Sequence, residues 1–248
     1  MPKQLAGAMD LVVDSWKLYV KNWQQTTKIS IWILYFGLAE FIIYLFSKFV
    51  PEIGLLLIPT ALALTVVSIW ISLRLMLATL KLADGKSIGD QKADMDKAWD
   101  LFLPTIWVGI LQFLVIMGGL FLLIIPGIFL SIALSFSQIS LIDRGRRGLS
   151  ALGASRDLVR GRWWSVLWRL MFGSIAFGLL VLVAQIAVMA IFAILVGPSN
   201  FMTLMQSENP DPLFSGTISL LNSILQAATL PLIFGYQVKL YRALQKSE

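Results

Sequence analysis

The 248-residue chain contains no cysteine and no histidine. That excludes disulfides, thiolate nucleophiles, imidazole acid–base catalysis and zinc sites with nitrogen or sulfur ligands. Oxygen-only magnesium chemistry is the metal option these absences leave open. No glycine-rich phosphate loop precedes a helix, and no G-x-S-x-G or paired-carboxylate pattern is visible. Charge is also scarce: Asp, Glu, Lys and Arg make up 14% of the chain, against about 25% in soluble domains. Apolar residues reach 58%, against about 45–50%. A soluble protein with so little polar surface has no means of covering itself, and a bilayer removes that need. A cleavable leader is not expected, because Asp10, Asp14, Lys17 and Lys21 interrupt Met1 to Gln25 and leave no apolar core of about 7–15 residues.

Long apolar runs are what the sequence does have. A helix rises about 1.5 Å per residue, so about 20 apolar residues cross about 30 Å of hydrocarbon. Ile29–Phe49 and Ile53–Leu80 supply two spans, with Pro51-Glu52 at the turn. Leu101 to Ile142 carries no charge over 42 residues, a helix of about 63 Å if unbroken. Pro126-Gly127 near its middle predicts a reversal there. Spans are therefore expected at Leu103–Ile125 and Ile128–Ile142, the latter short and starting at or just before Pro126. Trp163–Val196, ended by Gly197-Pro198, is the fifth, and Leu213–Val238 the sixth. The expected fold is an all-α polytopic bundle of about six transmembrane helices in one integral membrane domain, residues 1–248.

Orientation follows from the basic residues. With the N-terminus inside, 19 of the 20 Lys and Arg fall on the inner side and only Lys48 outside, whereas the outer loops carry Glu52, Glu208 and Asp211. Seven tryptophans, among them Trp16, Trp23, Trp99 and Trp163, sit near the same inner interface. These signals place both termini in the cytoplasm and the chain in the inner membrane of a prokaryote. The formal charge of +6 suits anionic lipid headgroups better than nucleic acid, because the bases lie between apolar stretches.

Three mixed segments precede the span pairs. Leu5, Met9, Val12, Trp16, Tyr19 and Trp23 recur at helical spacing, as do Ile88, Met95, Trp99 and Phe102, and then Leu152, Ser155, Val159 and Trp163. Three amphipathic interfacial helices are expected. Ser15, Ala98 and Ser155 align, as do Leu18, Leu101 and Leu158, pointing to a three-fold repeat of helix plus hairpin over about 1–84, 85–145 and 146–248.

Pro126-Gly127-Ile128, an apolar run to Leu141-Ile142-Asp143, a basic turn, then Ala151-Leu152, Ser155 and Leu158-Val159-Arg160-Gly161-Arg162-Trp163-Trp164 resembles the membrane domain attached to some glycerophosphodiester phosphodiesterases and its stand-alone six-span relatives in bacteria and archaea. The resemblance implies a membrane fold only. The phosphodiesterase activity of such fusions belongs to a separate soluble domain with acidic and histidine ligands, which this chain lacks, so it does not carry over.

Ionisable groups within spans are functional candidates by default. Glu40 lies 12 residues beyond Lys28, about 18 Å into the hydrocarbon. Gln226 lies at similar depth, and Arg74, close to Lys81, is placed either to snorkel inward or to reach toward Glu40. Gln112 completes this candidate intramembrane site. Against it stands a structural reading in which Glu40, Gln112, Ser135, Ser137, Gln138, Gln185 and Asn222 make interhelical hydrogen bonds, and Gly118-Gly119, Gly173 and Gly178 mark close packing. Arg144, Arg146, Arg147, Arg156, Arg160, Arg162, Trp163 and Trp164 are the expected headgroup contacts. The acidic run Asp90, Asp94, Asp96 and Asp100 reads as a solvated face, with weak magnesium binding as the alternative. No cofactor is expected. The leading expectation is a non-enzymatic protein associated with lipids, a membrane-protein partner or an oligomer, in envelope assembly or homeostasis. The alternative is a small carrier using the site around Glu40, and an intramembrane enzyme ranks third.

Overall fold

A computed structural model describes residues 5–89, 91–207 and 211–247; Lys3, Asp90 and Glu208 lie outside the described residues. Every regular element among the described residues is helical. α1 (Ala8–Ser30) leads into α2 (Trp32–Ser47), and a 3-10 turn (Pro51–Leu56) into α3 (Leu57–Ala83). Then come α4 (Gln91–Leu122), α5 (Ile124–Ala133), α6 (Ser137–Arg144), α7 (Leu149–Val159), α8 (Trp163–Val196), α9 (Pro198–Gln206) and α10 (Pro212–Gln245). Hydrocarbon offers the backbone no water, so a spanning segment must pair its own N–H and C=O groups, as a helix does. Among the described residues five helices are long and apolar enough to cross a membrane, or up to six if α1 and α2, bent by 44°, are one span. That composition and length mark a membrane protein.

Several elements differ from the sequence expectation. The first span is not one rod: the helix breaks at Ile31, and α2 has 16 residues, about 24 Å of rise. The second amphipathic segment is not a separate helix; it runs straight into the third span as α4, through Pro104. The apolar stripes of the first two segments also face outward. Met9, Trp16, Trp23 and Trp99 are exposed, while Leu11, Ser15, Asp94 and Ala98 are buried. A stripe turned away from the protein is what an interfacial helix presents to lipid.

The reversal in the long apolar run falls at Leu123, whose extended φ/ψ of −167°/153° separates α4 from α5. Pro126 lies in the first turn of α5, where its missing N–H has no helical partner to lose. Gly127 is buried against Leu120, and a Cβ on Gly119 would lie 3.1 Å from the Gly127 Cα. The Pro-Gly pair thus permits the close crossing just after the turn instead of forming the turn. Of the other predicted packing glycines, Gly173 is covered by the Tyr236 ring, whereas Gly118 and Gly178 face open space.

The fourth span is also broken, between α5 and α6 at Leu134–Phe136. The Ser155 hydroxyl from α7 serves the freed backbone: it accepts from the Phe136 N–H at 3.0 Å and donates to the Ala133 carbonyl at 2.8 Å. One buried side chain therefore satisfies both sides of the break.

The chain forms two compact units interleaved in sequence. The first comprises residues 1–23, 72–176 and 232–248, and its centre is the end of α3, where Leu73, Leu75, Met76, Leu77, Ala78 and Leu80 are all buried. Ser15, Ala98 and Ser155 all belong to this unit, and each is 0% exposed. The second comprises 24–71 and 177–231. All the described lysines and arginines except Lys28 and Lys48 lie in the first unit. These boundaries cut across the sequence repeats.

Ser155→Ala is expected to leave the Phe136 N–H and Ala133 C=O without partners, destabilising the protein by about 1–3 kcal/mol. Thermal unfolding of the purified protein in detergent checks this.

Candidate functional site

Within the second unit, α2 and α10 run antiparallel in a register pinned at four points. Gly37 is buried, and a Cβ there would collide with the Ser223 side chain. One turn on, the Ser219 hydroxyl donates to Glu40 Oε2. A Cβ on Gly216 would stand 2.9 Å from Tyr44 Cβ and 3.3 Å from Phe41 Cα. Lys48 Nζ then meets Asp211 Oδ2 at 3.1 Å. Asp211 also accepts the Leu213 N–H at 2.8 Å, in the manner of an N-cap before Pro212. The Lys48 hydrogen bond, reinforced by that N–H, holds its carboxyl below the usual carboxylate range.

Between α2, α3 and α10 lies a half-open cavity of about 420 Å³. Its wall obeys helical spacing on every side: 33, 36, 37 and 40 from α2, 64, 68 and 71 from α3, and 215, 218, 219, 222, 223 and 226 from α10. The α10 face is almost wholly polar: Ser215, Ser219, Asn222, Ser223 and Gln226. Among the described residues Glu40 is the one ionisable residue on the wall, and no base lines it. Of the four candidate intramembrane residues, the cavity brings together Glu40 and Gln226. Arg74 and Gln112 lie in the first unit instead. Arg74 is buried there. The serines were missed by sequence reasoning, although polar residues at i, i+4, i+7, i+8 and i+11 within an apolar run signal one wet face of a span.

The first unit holds the expected headgroup contacts. A half-open groove of about 440 Å³ is lined by Phe129, Ala133 and Val159, by Arg156 on α7 and Arg160 just past its end, and by Gly161, Trp163 and Trp164. Gly161, at φ +75°, makes the left-handed turn from α7 to α8. The Trp163 indole stacks on Phe129 at 5.5 Å and donates to the Phe129 carbonyl at 3.1 Å. Trp164 stands edge-on to Trp163 and is 77% exposed. Both groove arginines are exposed. Arg144, Arg146 and Arg147 are exposed in the neighbouring turn. Arg162 does not join them: its guanidinium donates to the Leu244 carbonyl and to Ser247.

A third constellation was not foreseen. Arg242 of α10 grips Asp143 of α6 through two parallel bonds of 2.8 Å and reaches Asp84, after α3, at 2.8 Å. Tyr241 and Gln245 also donate to Asp143, at 3.1 and 3.4 Å. This fork ties three chain segments together at one end of the unit. In the acidic run, Asp94 is paired with Lys81 at 2.5 Å. Among the described residues no group of three or more acidic side chains is placed to hold a metal ion.

Comparison with protein-family models, curated proteins and solved structures finds no match.

Arg242→Lys keeps the charge but loses the two-pronged geometry. It is expected to cost about 1–3 kcal/mol in detergent unfolding. Lys48→Gln, which breaks an exposed pair, is expected to cost no more than about 1 kcal/mol in the same assay.

Proposed function

We propose that this chain is a non-catalytic multi-pass protein of a prokaryotic cytoplasmic membrane that holds anionic lipid headgroups on its inner face. The observation that carries this reading is the groove at the α7–α8 junction. Two guanidiniums stand beside two tryptophans over an apolar floor of Phe129, Ala133 and Val159. Among the described residues neither guanidinium has an acceptor from the protein. Arginine matches phosphate oxygens in geometry as well as charge. Indole is best accommodated at the headgroup boundary, and the apolar floor suits the start of an acyl chain. Both termini lie on the cytoplasmic side, and the concentration of bases in the first unit supports that assignment. A role in envelope assembly or homeostasis, with a membrane-protein partner or an oligomer, accords with a lipid-binding site and no catalytic motif.

Two finer points belong to the same proposal. The amphipathic segments and hairpins form a three-fold repeat, which the burial of Ser15, Ala98 and Ser155 supports. The chain is a stand-alone relative of the phosphodiesterase-associated membrane domain, and the segment carrying that resemblance is the one that builds the groove. A second reading, a small carrier, is favoured by a separate observation: the polar cavity around Glu40 in the second unit.

The groove reading is tested by native mass spectrometry on protein extracted from nanodiscs of mixed phosphatidylglycerol and phosphatidylcholine. The unaltered chain is expected to retain phosphatidylglycerol, and Arg156→Gln/Arg160→Gln to retain about tenfold less. The difference shrinks as salt is raised. Equal retention of both lipids by the unaltered chain would contradict the proposal.

A further inference from the structure

We infer that the cavity between α2, α3 and α10 binds a small organic monocation, an alkyl- or arylammonium, through the Glu40 carboxylate. The inference rests on the carrier reading for its setting and goes beyond it by naming the ligand class.

Charge decides the sign of the ligand. Among the described residues Glu40 is the only ionisable group on the wall; α3 and α10 face it with hydroxyls, carboxamides and aliphatic side chains and contribute no titratable or charged group. The two bases of the second unit lie elsewhere: Lys48 is paired with Asp211, and Lys28 is 12 residues from Glu40 along the chain. An anion would therefore meet a carboxylate with nothing to offset it. An ionised carboxylate in a low-dielectric setting needs a counter-charge or a proton.

Hydrogen bonding leaves room for that counter-charge. A carboxylate offers about four acceptor positions. Among the described residues the side-chain donor to Glu40 is the Ser219 hydroxyl. An ammonium carries up to three N–H donors. One or two can go to Glu40, and the rest to oxygen atoms of Ser215, Asn222, Ser223 or Gln226.

Size selects an organic ion over a bare metal ion. Liquid water occupies about 30 Å³ per molecule, so a cavity of about 420 Å³ is far larger than one sodium ion needs. It falls at the lower end of the range for organic ligands, about 300–1,000 Å³. Ile33, Phe36, Leu64 and Ile71 supply an apolar wall for the carbon part, opposite the polar face of α10. A site with one carboxylate, neutral polar groups and one greasy wall matches an amphiphilic amine.

Isothermal titration calorimetry on the full chain in nanodiscs tests this, with benzylammonium chloride as probe and benzyl alcohol and sodium chloride as the uncharged and inorganic comparisons. Saturable benzylammonium binding, one per chain, is expected, with about tenfold or greater loss in Glu40→Gln. Glu40→Gln preserves the shape of the side chain, and its unfolding temperature shows whether it is folded. Ser215→Ala provides a second variant that keeps the carboxylate and is expected to give a smaller loss. No saturable binding by the unaltered chain, equal binding of benzyl alcohol, displacement of the amine by millimolar sodium, or unchanged binding in folded Glu40→Gln would each overturn the inference. Flux in proteoliposomes separates the two readings: binding without transport removes the carrier and leaves the amine site standing.

Discussion

Hydrocarbon contains no water, and the structure follows from how each polar group obtains a partner without it. Backbone amides obtain theirs by coiling, which is why every regular described element is a helix. Where the coil fails, a side chain substitutes, as Ser155 does at the gap between α5 and α6. Where a charge is carried toward the bilayer, a second charge answers it, as in the Arg242–Asp143–Asp84 fork. Glu40 is the exception: among the described residues its side-chain donor is a neutral hydroxyl, and a polar cavity opens beside it. The same rule that accounts for the architecture thus singles out one carboxylate.

Small residues make these pairings possible. Without a hydrophobic force between helices in lipid, close packing and hydrogen bonds hold them together, and both require the backbones to approach. Gly37 and Gly216 bracket the Glu40–Ser219 bond and let α2 and α10 draw near enough to form it. Gly119 and Gly127 do the same for the hairpin of α4 and α5. A Cβ at these positions would meet the facing helix more closely than ordinary packing allows, so the neighbour would have to shift.

Much of this was legible in the sequence. The apolar runs gave the helices, and their lengths gave the spans, because hydrocarbon thickness is a fixed ruler. The breaks were not legible. Leu134-Ser135-Phe136 is ordinary helical sequence, and the helix stops there because a serine 19 residues beyond Phe136 can satisfy it. Pro126-Gly127 marked the right neighbourhood but not the turning residue, since a proline tolerated in a first turn looks the same in sequence as one in a reversal. Glu40 and Gln226 were readable as deep polar residues on two spans. Their shared cavity was not, because which faces of α2, α3 and α10 meet depends on the register of glycines. For Arg74 likewise, helical rise fixes its depth along the span but not the unit to which it belongs, which is the first.

The antiparallel register of α2 and α10 underlies the Glu40 site, and the absence of cysteine gives a clean background for testing it directly. Paired cysteines at Gly37 and Ser223, oxidised in native membranes, should form an intramolecular disulfide in high yield, and a pair at Gly37 and Ser215 should not. Efficient cross-linking of the second pair with none of the first would contradict the account.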